Sequence, residues 1–128
     1  MRIALDTNRY SDLCRGDEAL EAVVARAEAV FLPFVVLAEL RAGFGLGTKA
    51  RWNERTLQRF LAKPRVDALL ASEQTTHHYA AIFGQLRKQG TPIPTNDLWI
   101  AAIAVEHGLA LVTRDEHFAH IPQLVCID

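Results

Sequence analysis

Four carboxylates stand out in this chain: Asp6 and Asp115 follow short apolar runs, and Glu39 and Asp97 lie in segments whose neighbours are small or apolar and supply no basic partner. Asp6 ends the apolar run of residues 3–5, and Asp115 follows the apolar run 110–112 by way of Thr113 and Arg114. Both are therefore delivered to the carboxyl end of a short, buried strand. Glu39 and Asp97 lie in helical segments. Val35, Val36, Ala42 and Gly43 share the face of Glu39, and Ile100 and Ala101 share that of Asp97. Arg41 does not neutralise Glu39, since a separation of two on a helix points side chains to nearly opposite sides. Asp97 gains roughly 0.3–1 kcal/mol from the dipole of the helix it starts, against several kcal/mol for burying an ion.

Taken singly, each acid has an ordinary explanation: Asp6 as a turn former, Glu39 as a surface residue, Asp97 as a helix-start residue, Asp115 as a cap for the following turn. Taken together they repel, a pair ~4 Å apart costing about 4 kcal/mol at an effective dielectric of ~20. A divalent cation reverses that sign. Oxygen-only donors select hard ions, Mg²⁺ or Mn²⁺, over Zn²⁺. Such an ion lowers the pKa of a bound water, and two of them clamp the attacking and leaving oxygens of a phosphodiester.

The elements that must position these acids alternate between strand and helix. Strands are expected at residues 3–5, 29–32, 65–70, 110–112 and 124–127. A helix over 18–27 begins at an Asp17 cap, and one over 34–42 follows Pro33 and stops at the glycines 43, 45 and 47. An amphipathic helix is expected over 49–62, closed by Pro64, and a long helix runs from a Ser72 cap to Gln89. The nearly all-apolar segment 97–107, capped by Thr95 or Asn96 and stopped by Gly108, must be buried on most sides. This alternation predicts an α/β fold, a parallel sheet sandwiched by helices. With half of its 128 residues apolar, the chain is expected to form a single domain over 1–128.

The segments Leu5-Asp6-Thr7-Asn8, Ala38-Glu39-Leu40-Arg41-Ala42-Gly43, Pro94-Thr95-Asn96-Asp97-Leu98-Trp99-Ile100-Ala101-Ala102 and Val112-Thr113-Arg114-Asp115 resemble, in order and over essentially the whole chain, the PIN-domain family, especially VapC-type toxins of bacterial toxin–antitoxin pairs. The resemblance implies a three-layer sandwich with strand order 3-2-1-4-5 and ligation of Mg²⁺ or Mn²⁺ by Asp6, Glu39, Asp97 and Asp115. It implies endonucleolytic cleavage of RNA, a cognate antitoxin protein whose tail covers the acidic site, and a homodimer. Asn8 and Thr113 match polar positions that orient a ligand or water. His117 departs from the pattern, standing where many relatives carry a further acid. Some relatives act mainly as a complex with a DNA-binding partner, which keeps a regulatory module as the alternative. A phosphoacceptor receiver domain fits badly, because two of the acids lie on helices and no Lys follows Gln89.

Net charge is −1, so any grip on nucleic acid is local. Arg9 and Arg114 are candidate phosphate contacts, with rim ion pairs as their ordinary role. Lys49, Arg51, Arg55 and Arg59 read as a solvated helix face. Phe34, Leu37, Phe44, Trp52 and Phe60 read as core, any exposed part being a candidate docking groove. No histidine ligand is expected: His77 and His78 are adjacent, and no cysteine completes a zinc set with His117 and His120. Cys14 and Cys126 do not make a disulfide framework. With no leader or long apolar segment evident, a cytoplasmic protein without a membrane span is expected.

Overall fold

A computed structural model describes all 128 residues. The chain runs β1 (Arg2–Leu5), α1 (Thr7–Cys14), α2 (Glu18–Arg26), β2 (Ala29–Pro33), α3 (Phe34–Leu46), α4 (Ala50–Leu61), β3 (Val66–Leu69), α5 (Glu73–Gln89), α6 (Thr95–Glu106), β4 (Ala110–Val112), a 3₁₀ turn (Glu116–His120) and β5 (Cys126–Ile127). The sheet has the order β3-β2-β1-β4-β5 and every pairing is parallel. The expected α/β architecture and strand order are both present.

Centrality in the sheet explains composition. β1 has β2 and β4 on its two sides, with Ile3 opposite both Val30 and Ala110. Ile3, Ala4, Leu5 and all of β4 are buried, as they must be in a parallel sheet covered on both faces. Each such Ile or Leu contributes about 1.5–3 kcal/mol by leaving water. The chain first builds outward from β1 through β2 to β3, then crosses back to lay β4 on the other side of β1. The order reverses between β1 and β4, and the crevice beyond the carboxyl ends of strands at such a reversal is where open α/β sheets bind ligands.

Three elements differ from their sequence-based expectation. Residues 7–14, for which the sequence pattern predicted no element, form helix α1; the signal was Asp6 itself, whose carboxylate caps the helix by accepting the Arg9 N–H at 2.9 Å. Helix α3 continues through Gly43 and Gly45 and ends only at Gly47, neither interior glycine adopting a positive φ. A mid-helix glycine costs about 1 kcal/mol and does not by itself terminate a helix, and here Phe44 packs against the core between the two. Helix α6 starts after Pro94 without a side-chain cap, which leaves Asn96 free for another partner. The long helix α5 ends as expected at Gly90, whose φ of 75° is the left-handed conformation that closes a helix.

Helix α6 is buried at Leu98, Ile100, Ala101, Ala102, Ile103 and Ala104, on all sides rather than along one stripe. It fixes the start of its first turn, and so Asp97, against the sheet. No helix is long and apolar enough to cross a membrane.

Candidate metal centre

The strand ends and two helices bring the acids to one end of the sheet. Asp6 leaves β1 and is 6 % exposed. Its Oδ1 accepts the Arg9 N–H, and its Oδ2 accepts the hydroxyl of Thr113, which leaves β4. Burial pushes the Asp6 carboxyl above its ordinary range; the Thr113 and Arg9 hydrogen bonds pull it back only in part, and Asp115 raises it further. The Thr113 hydroxyl also accepts the Asp115 N–H at 3.0 Å, tying the second strand-end acid to the first.

Asp97, at the start of α6, is likewise pushed up by burial first, with the charges of Asp115 and Glu39 adding to the effect. Its Oδ2 lies 2.8 Å from Nδ1 of His117, and the same nitrogen is 3.2 Å from Oδ1 of Asp115. The His117 backbone N–H donates to Asp115 Oδ1 at 2.9 Å, so Asp115 caps the 3₁₀ turn that carries the imidazole. The hydrogen bond to Asp97 raises the His117 pKa above its ordinary value. One donor atom each from Asp97, Asp115 and His117 fall within 4.8 Å of one another. Sequence reasoning expected no histidine ligand; the structure places His117, two residues beyond Asp115, against both Asp97 and Asp115.

Glu39 approaches from the middle of α3, half-buried. Thr7 donates to its Oε1 at 2.7 Å and Asn96 to its Oε2 at 3.4 Å. Neither residue was singled out from the sequence, although both sit beside a site acid, Thr7 after Asp6 and Asn96 before Asp97. Asn8, expected to support the site, is exposed, and Thr7 takes the inward place. Arg41 pairs with Glu54 and leaves Glu39 alone, as its spacing required.

Arg9 does not face the site. It is 1 % exposed, with its guanidinium 3.0 Å from Asp12 and 3.5 Å from Asp17, and burial removes it from the reach of a phosphate. Arg114 is exposed and 3.9 Å from Asp17. Lys49, Arg51, Arg55 and Arg59 are exposed, as a solvated face should be. Leu37 and Phe60 join the core, whereas Trp52 stays 56 % exposed with Arg59 against its ring. Cys14 and Cys126 are both free. A cavity of about 800 Å³, lined by Tyr10, Val24 and Phe60 among others, is apart from the four acids, none of which lines it.

The donor set suits a divalent cation: two carboxylates and an imidazole converge, two further acids flank them, and no Lys or Arg forms an ion pair with any of the four acids. The family model for the PIN domain matches residues 3–124. The chain belongs to the PIN domain family. Among its PIN-domain relatives, ribonuclease VapC4 of Mycobacterium tuberculosis is 33% identical over 93 residues, 73% of this chain and 72% of that protein. Plasmid stability protein StbB of Pseudomonas syringae pv. tomato is 33% identical over 121 residues, 88% of this chain and 87% of the other. Of solved structures, VapBC-1 from nontypeable Haemophilus influenzae superposes with a TM-score of 0.88 at 29% identity, over 100% of this chain and 98% of the other. VapBC2 from Rickettsia felis, bound to a DNA fragment from the promoter, gives 0.84 at 30% identity over 99% and 98%.

Proposed function

We propose that this PIN domain, acting as one unit over residues 1–128, is the toxin of a toxin–antitoxin pair and a Mg²⁺- or Mn²⁺-dependent RNA endonuclease. The observation that carries the reading is that Asp97 and Asp115 converge at one end of the sheet with Asp6 and Glu39 flanking them, Asp6 and Asp97 being held in surroundings that disfavour their charge. Charge concentrated at such cost calls for a cation, and a cation so held would suit phosphodiester hydrolysis. RNA as the polymer follows the relatives named ribonuclease, and the antitoxin follows VapBC-5 from Mycobacterium tuberculosis, a structural relative from the VapBC family of toxin–antitoxin systems.

In this reading Asp6, Asp97 and Asp115 hold the ion, and Glu39 either joins them or takes the proton from the attacking water at its Oε atoms. The ion, when bound, stabilises the negative charge that develops on the phosphate. Thr113 orients Asp6, while Thr7 and Asn96 orient Glu39, so that neither carboxylate must be ordered during the reaction. Arg114, exposed beside Asp115 in the chain, is in this reading a contact for a phosphate of the RNA. The antitoxin restrains the enzyme by covering the acidic end, where an arginine would neutralise it. The chain acts as a homodimer, which light scattering of the purified protein checks.

The deciding experiment is cleavage of varied RNAs by antitoxin-free protein in Mg²⁺ or Mn²⁺, compared with Asp6→Asn and Asp97→Asn. Metal-dependent cutting lost in both variants, with folding intact, is expected. No cutting of any RNA, together with tight DNA binding by the complex with its partner, would replace the nuclease by a regulatory module.

A further inference from the structure

We infer that His117 is a direct ligand of the ion, so that the centre has a mixed oxygen and nitrogen donor set and prefers Mn²⁺ to Mg²⁺. The inference rests on the reading of this end of the sheet as a divalent-ion site, and goes beyond it in naming the donor that selects the ion.

The imidazole is built into the cluster rather than left beside it. Nδ1 lies 2.8 Å from Asp97 Oδ2 and 3.2 Å from Asp115 Oδ1. Metal–donor bonds of about 2.1 Å place adjacent ligand atoms about 3 Å apart and opposite ones about 4.2 Å apart. The three donor atoms lie within 4.8 Å of one another, so they fit one coordination sphere with small adjustment. The side chain is aimed by its own backbone: the His117 N–H is anchored on Asp115 Oδ1 at 2.9 Å, at the start of the 3₁₀ turn, and Phe118, next in that turn, is buried in the core. Such support, in which one ligand fixes the segment carrying another, removes ordering cost from metal binding.

Chemistry then decides which ion. Mg²⁺ is hard, sheds water reluctantly and is held through oxygen. Imidazole nitrogen suits first-row transition ions, which accept mixed donors. A neutral imidazole with its proton on Nε2 offers the Nδ1 lone pair to the ion, and the 47 % exposure of the side chain leaves Nε2–H open to water. An aspartate at this position would make every donor oxygen and return the site to Mg²⁺.

The test uses the full chain loaded with one equivalent of Mn²⁺ and read by pulsed electron paramagnetic resonance for ¹⁴N coupling, beside competitive titration of Mn²⁺ against Mg²⁺. The wild type is expected to show imidazole nitrogen coupling, and His117→Asp to lose it while its Mn²⁺ over Mg²⁺ preference falls on the order of tenfold. His120→Ala serves as the control and should retain both. Bound Mn²⁺ without nitrogen coupling, or coupling that survives in His117→Asp, overturns the role of His117 and leaves the metal site standing. Failure of Mn²⁺ to bind at all overturns both. If His117→Asp does not fold, the wild-type spectrum alone still decides.

Discussion

The Thr113 hydroxyl donates to Asp6 Oδ2 and accepts the Asp115 N–H, so one side chain joins the exits of β1 and β4 across the point where the strand order reverses. Thr113→Val keeps the shape and deletes both bonds, leaving Asp6 Oδ2 without its donor while Oδ1 keeps the Arg9 N–H. A loss of about 1–3 kcal/mol is expected. Because Asp6 is then less firmly oriented, metal affinity should fall by roughly tenfold as well. Thr113→Ser should restore most of both. Thermal denaturation and metal titration of the three proteins check this, and a valine variant indistinguishable from wild type would reduce Thr113 to a filler.

Asp97 gives a pH-dependent prediction whose sign follows from burial. Its pKa in the folded chain lies above the ordinary value, so between the two the native state binds more protons than the unfolded one. Metal-free stability therefore falls as pH rises through that window, and the penalty persists at neutral pH. Asp97→Asn, which retains an acceptor for His117, should raise the metal-free melting temperature at pH 7 and flatten the gain seen on acidification. It should also abolish cleavage and remove the stabilisation that added Mn²⁺ gives the wild type. A lower melting temperature in metal-free Asn variant would show that the His117 pair outweighs the burial cost.

These two residues illustrate what was legible in the sequence. Asp6 and Asp115 could be placed because an apolar run that stops at a polar residue is a local signal of a buried strand's end, and the strand order followed from the family pattern. Asp97 and Glu39 could be singled out because their helix faces are apolar. The partners of these acids could not be read off, since each is a long-range contact: Thr7 meets Glu39 across 32 residues, Asn96 meets it across 57, and His117 meets Asp97 across 20. Helix α1 was missed for a different reason. Of its eight residues only Arg9 and Tyr10 are buried, too few for a period to show, and one of these is a charged residue whose burial depends on Asp12 and Asp17.

Glu39 separates two roles that geometry leaves joined. Thr7 and Asn96 hold its two oxygens, so Glu39→Gln should fold normally. If Glu39 takes the proton from water, the variant binds metal as the wild type does and cleaves RNA about 10²–10⁴-fold more slowly. If it is chiefly a ligand, metal affinity falls and excess metal restores part of the rate. Single-turnover cleavage across a metal titration tells these apart, and an unchanged rate would take Glu39 out of the mechanism.

Arg9 and Arg114 were equivalent candidates in the sequence and are opposites in the fold. Arg9 is buried, bridges Asp12 and Asp17, reaches the Asp128 carbonyl, and leaves only its Nε without a partner. Breaking a buried pair costs roughly 3–5 kcal/mol, and the lower end applies here because Asp12 and Asp17 keep 30% and 25% side-chain exposure and can rehydrate. Arg9→Ala should therefore cost about 3 kcal/mol, much of it from the space left inside α1 and α2. Arg114→Ala should change stability by no more than about 0.5 kcal/mol, since its pair with Asp17 is long and wet. In RNA binding the order reverses: Arg114→Ala should make the salt dependence shallower by roughly 0.7 in log–log slope, as expected for one lost phosphate contact on a single strand. A slope unchanged by Arg114→Ala would remove the phosphate contact, and an Arg9→Ala protein as stable as wild type would mean that the bridge between α1 and α2 adds nothing to the fold.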